Sequence, residues 1–124
     1  MDSLTTLTSS SVLLGLAALG GLLMVLIRLG KKTNPPHWLA MAHGFIAAAG
    51  VTLLCYVALF APIPGKAGIA LLLLLLLLLA ALIGVWMNLG YHIKGKLLPN
   101  SVMIVHALVA VIGFLLLLAA LFLR

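Results

Sequence analysis

Four stretches of about 20 mostly apolar residues, 7–29, 38–60, 67–89 and 102–123, leave this chain little choice of surroundings. Each has the length an α-helix needs to cross the hydrocarbon core of a bilayer, where a segment must satisfy its own backbone hydrogen bonds. A water-soluble domain of 124 residues has no interior large enough to hide a chain that is 66% apolar. The expected fold is therefore an all-α membrane protein, a bundle of four transmembrane helices. Its first partner is the lipid bilayer.

The stretches are separated by RLGKKTNPPH (28–37), APIPGKAG (61–68) and YHIKGKLLPN (91–100). Each carries proline or glycine where a helix should stop, and each is short enough to make consecutive helices antiparallel neighbours. The N-terminus carries Asp2 rather than a basic region, and the first apolar run leads directly into Arg28, Lys31 and Lys32, so this run is expected to remain as a membrane helix. Arg28, Lys31, Lys32, Lys94 and Lys96 lie on or beside the first and third loops, against Lys66 and Arg124 on the other side. The positive-inside rule then puts loops 1 and 3 in the cytoplasm and both termini outside, as in a bacterial inner membrane. Trp38 and Tyr91 fall at the cytoplasmic interface, where amphipathic rings are favoured. This basic excess serves topology and contact with anionic lipid, so nucleic acid is not an expected partner.

The residues that are missing also constrain the chemistry. Asp2 is the single acid, which excludes carboxylate dyads, Ser-His-Asp triads and carboxylate-held Mg²⁺ or Ca²⁺ from the interior. Cys55 is the single cysteine, so there is no disulfide framework, no CxxC and no thiolate zinc cluster. No catalytic nucleophile is expected.

A shift of 63 positions, without a gap, aligns Ala17 with Ala80, Ala18 with Ala81, Gly21 with Gly84, Met24 with Met87, Lys31 with Lys94 and Pro36 with Pro99. The same shift aligns His43 with His106, Ala47 with Ala110 and Gly50 with Gly113. Leucine matches are cheap in such a chain, but rarer residue types holding one register across a loop are not. The pattern predicts a tandem duplication of a helical hairpin, 1–61 and 62–124, forming one domain of two parallel repeats about an axis along the membrane normal. Ala17-x3-Gly21 and Ala80-x3-Gly84 are small-xxx-small pairs that let helices approach closely in lipid.

His43 and His106 each open the same pattern, H-x3-A-x2-G. Offsets of 4 and 7 return to nearly one face of a helix, so Ala47 and Gly50, and likewise Ala110 and Gly113, form a strip of small side chains beneath each imidazole. Such a strip makes room for something flat. Each histidine lies seven residues beyond its loop proline, roughly 10 Å along the axis and inside the hydrocarbon. An ionisable side chain at that depth is costly and needs a partner. Two facing imidazoles suit axial coordination of a haem iron, for which the protein supplies only two ligands. Lys31 and Lys94, with the other cations of these loops, are placed to neutralise the propionates. With no CxxCH, the haem would be one non-covalent haem b.

At these residues the chain resembles the small four-helix bis-histidine membrane b-type cytochromes, the class that includes cytochrome b561-like proteins. It is also similar to small bacterial membrane proteins with a tandem H-x3-A-x2-G. The cytochrome resemblance implies electron exchange with a quinone or a redox partner. Many members of that class carry two haems, whereas this chain has one symmetric histidine pair, so electron transfer across the whole membrane is not implied. His37 aligns with Asn100 and His92 with Leu29, and they read as interfacial or loop imidazoles.

Two other readings are open. Met24 and Met87 share the register and can approach the histidine depth, and two imidazoles with two thioethers form a soft Cu(I) site. Alternatively the chain holds no cofactor and is a structural or assembly subunit, docked in a larger membrane complex or a homo-oligomer.

Overall fold

A computed structural model describes residues 2–123 and contains four long helices: α1 (Ser3–Lys31), α2 (His37–Phe60), α3 (Ala67–Met87) and α4 (Asn100–Phe122). All four are long and apolar enough to cross a membrane, and the fold is an all-α four-helix bundle. Arg124, counted above among the far-side charges, lies outside the described residues, as does Met1.

The boundaries follow local chemistry. α1 starts four residues before its apolar run because Asp2 caps it, its Oδ1 accepting from Thr5 N at 2.7 Å. That bond also holds the Asp2 carboxyl below the usual carboxylate range. Hydroxyls in the first turns bond back to the helix, Thr6 to Asp2 O and Ser11 to Leu7 O, while Ser10 Oγ crosses to Gly50 O at 2.7 Å. Polar residues thus enter the span with their donors satisfied. α1 ends where Lys32 adopts φ 54°, a left-handed cap. Pro36 and Pro99 precede α2 and α4 as caps, and Gly65 and Gly95 take the positive φ of the tight turns before α3 and after it. Beyond Met87 the chain continues through a π-helical turn, Asn88–His92, closed by Ile93 N to Asn88 O at 2.9 Å.

α1 packs on α2 and α4, and α3 packs on the same two, leaving α1/α3 and α2/α4 as the diagonals. Packing is densest within each hairpin. In hydrocarbon this packing gains little from removal from water and rests on van der Waals fit and hydrogen bonds. Leu54, Leu73 and Leu117 are each 0% exposed at the centre of a cluster that also holds Leu7, Leu14, Leu77 and Leu121. A second cluster, Met87, Leu98 and Met103 with Val25 and Val102, closes the opposite end. Around the bundle, leucines such as Leu19, Leu26, Leu82 and Leu115 face outward, as a lipid-facing surface requires.

Loops 1 and 3 are tied to each other. The Asn34 amide donates to Lys96 O at 2.7 Å and accepts from Leu98 N at 2.9 Å, while Arg28 Nε donates to Leu98 O at 3.1 Å. At the other end Lys66 Nζ reaches the end of α4, donating to Ala120 O and to Leu123 O. Lys66 therefore serves as a cap on a negative helix terminus.

Candidate functional site

The two core clusters leave a layer between them that neither fills, and His43 and His106 occupy it. Each is the seventh residue of its helix, because both helices start directly after a proline. They project from the diagonal pair α2 and α4, with ring centroids 6.2 Å apart and planes at 73°.

Each imidazole is held within its own hairpin. His43 Nδ1 lies 2.7 Å from Ala17 O, and His106 Nδ1 lies 2.8 Å from Ala80 O. A carbonyl oxygen can only accept, so both Nδ1 atoms donate and each neutral ring carries its lone pair on Nε2. The carbonyls belong to helix interiors and are reachable because the residue one turn on is glycine. A Cβ on Gly21 would stand 3.1 Å from His43 Cε1, and one on Gly84 would stand 3.1 Å from His106 Cε1. The small-xxx-small pairs are therefore seats for the imidazoles as well as helix contacts, a role that spacing alone did not separate from ordinary packing.

The glycines of the H-x3-A-x2-G strips lie elsewhere. A Cβ on Gly50 would meet Leu14 Cγ at 2.7 Å, and one on Gly113 would meet Leu77 Cγ and Cδ2 at 3.0 Å. The strip is thus the seam of each hairpin, with a leucine of the partner helix filling the room each glycine leaves. Ala47 and Ala110, one turn from the histidines, are half-buried. Met87 packs with Leu98 and Met103, and Met24 is half-buried; each lies one turn past the glycine seat. Lys31, on the last turn of α1, and Lys94, in loop 3, are exposed.

A second histidine pair was not legible from the register. His37 and His92 meet at the loop 1 and loop 3 end, with centroids 5.2 Å apart and planes at 84°. The one sequence cue is that both flank loops on the same side of the bundle. Nearby, the buried Asn88 Oδ1 has no hydrogen-bond partner. Among the described residues no three His, Cys, Asp or Glu side chains converge on a metal-sized site. No protein-family model, curated protein or solved structure matches the chain.

Proposed function

We propose that this chain is a membrane b-type cytochrome, in which His43 and His106 are the axial ligands of a single haem b. The observation that supports this reading is the adjacent pair of imidazoles, each anchored through Nδ1 to a backbone carbonyl and each keeping a lone pair on Nε2. A ligating imidazole nitrogen lies about 2 Å from its metal, so two rings ligating one ion end-on have centroids on the order of 6 Å apart. The separation here is 6.2 Å. Two neutral nitrogens, with no third His, Cys, Asp or Glu converging on them among the described residues, suit a group that brings its other four ligands itself.

When bound, such a haem supplies a one-electron couple. The chain's own contribution is orientation and exclusion. The Ala17 and Ala80 carbonyls fix tautomer and ring direction. The leucine cluster on one side and the methionine cluster on the other keep water from the histidine layer. Arg28, Lys31, Lys32, Lys94 and Lys96 provide cations for the propionates, and their excess at this end supports, by the positive-inside rule, a cytoplasmic side in a bacterial inner membrane. The partner in electron exchange is a quinone or a redox subunit.

Absorbance spectra of the purified protein, oxidised and dithionite-reduced, test the reading. A Soret band with sharp reduced α and β bands at one haem per chain is expected. One observation favours a second reading: each imidazole already seats on a glycine and bonds a carbonyl inside its own hairpin, which suits an interhelical lock in a cofactor-free subunit. A colourless protein that also holds no copper, from cells with ample haem supply, selects that reading.

A further inference from the structure

We infer that His37 and His92 form a surface site for a divalent transition-metal ion of the Zn²⁺ or Cu²⁺ kind, which staples loop 1 to loop 3. The site is separate from the histidine layer and does not depend on the haem reading.

His92 Nε2 lies 2.9 Å from Pro35 O. The carbonyl accepts, so Nε2 carries the hydrogen and Nδ1 of the neutral ring carries the lone pair. A backbone carbonyl orienting one nitrogen of a ligand histidine is the usual outer-shell arrangement of a metal site. His37 is exposed and bonds no protein group among the described residues, so either ring nitrogen can present the lone pair, according to the tautomer. With metal–nitrogen bonds of about 2 Å and a tetrahedral angle, ring centroids fall on the order of 5 Å apart. The observed separation is 5.2 Å.

The backbone beneath the pair is already ordered. His37 is the first residue of α2, behind Pro35 and Pro36, and Asn34 is tied to Lys96 O and Leu98 N across the loops. Little ordering is left for the ion to impose. Hard cations are excluded, because Ca²⁺ and Mg²⁺ need carboxylates and the single acid, Asp2, caps the opposite end of α1. Neutral imidazoles suit Zn²⁺ and Cu²⁺, with solvent completing the shell. The lysines of these loops, Lys31, Lys32, Lys94 and Lys96, are exposed and carry their charge in solvent, which moderates the repulsion of a cation.

The test uses the full chain in detergent, purified without a polyhistidine tag and titrated with ZnCl₂ by calorimetry and with CuCl₂ by electron paramagnetic resonance. One ion per chain and nitrogen hyperfine structure on the copper signal are expected. His37→Ala and His92→Gln should each weaken binding at least about tenfold, the loss that removing even an outer-shell partner of a ligand produces. The glutamine amide can still donate to Pro35 O, so loss of the ion there is separable from loss of the loop contact. Affinity unchanged in both variants, or an ion lost instead in His43→Ala, overturns the proposal. So does the absence of binding at micromolar ion by a protein of intact helicity.

Discussion

His106 Nδ1 donates to Ala80 O at 2.8 Å over a helix surface that Gly84 leaves bare. His43, Ala17 and Gly21 repeat the arrangement 63 residues earlier, at 2.7 Å. A side chain larger than alanine at either glycine competes with the ring for the same space. Gly21→Val and Gly84→Val are expected to break the Nδ1 bond and to destabilise the bundle by about 1–3 kcal/mol through overpacking. The check is a lowered unfolding midpoint in detergent, with a shifted ring-proton resonance for the histidine of the altered hairpin. An unchanged resonance would sink the seat assignment.

The hairpin seams make a graded pair of tests. Gly50→Ala pushes a methyl to 2.7 Å from Leu14 Cγ, whereas Gly113→Ala meets Leu77 at 3.0 Å. Both substitutions gain helix propensity, so the steric cost alone separates them. Gly50→Ala should lower thermal stability more than Gly113→Ala, and a Leu14→Ala background should relieve it. The reverse order in melting temperature would contradict the seam packing.

The ligation proposal predicts that His43→Ala or His106→Ala alone lowers haem content and alters the spectrum, and that both together abolish stoichiometric binding. His37→Ala and His92→Ala should leave haem content nearly unchanged. A Cu(I) site predicts instead that Met24→Ala and Met87→Ala release metal from a protein with no Soret band. Haem and metal analysis of the six single variants and the double variant separates these outcomes.

The four helices were legible because apolar length and the loop prolines mark spans and stops without regard to tertiary contacts. Helical periodicity also placed Ala47 and Gly50 on the face of His43. It could not say which neighbour that face meets, so room that looked open to a flat ligand is occupied by Leu14. Gly21 and Gly84 carried a packing signal, but their service to an imidazole depends on a carbonyl one turn back and on the depth of another helix. The His37–His92 contact was hidden because the register pairs His37 with Asn100 and His92 with Leu29. Helix register relates equivalent residues of two hairpins, and this pair joins non-equivalent ones across loops. The π turn at Asn88–His92 shifts the hydrogen-bond register by one residue and leaves no composition mark.

Orientation is open to direct labelling. With Cys55→Ala as background, single cysteines at Lys31 and Lys66 should differ in reactivity toward an impermeant maleimide applied from outside the cell. Five basic residues flank loops 1 and 3, so the cysteine at position 66 should react and that at position 31 should not. Reactivity at 31 alone would invert the topology and move the histidine layer toward the outer leaflet.

Asn88 begins the π turn with a side-chain oxygen that is buried and unpartnered, next to a cluster that is otherwise apolar. Its register mate in the first hairpin is Val25, which packs against Met87, Leu98 and Met103. An unsatisfied buried carbonyl costs about 1–3 kcal/mol, so replacing it by an apolar group of similar size recovers part of that cost. Asn88→Val is therefore expected to raise the unfolding midpoint in detergent, even though a β-branched residue is slightly less favourable in a helix. The backbone bond from Ile93 N to Asn88 O is retained, so the π turn should persist. Haem content of the same variant supplies a second reading. Stability that rises while haem content holds identifies Asn88 as a purely structural defect, and stability that falls identifies a partner for Oδ1 that the bundle alone does not supply.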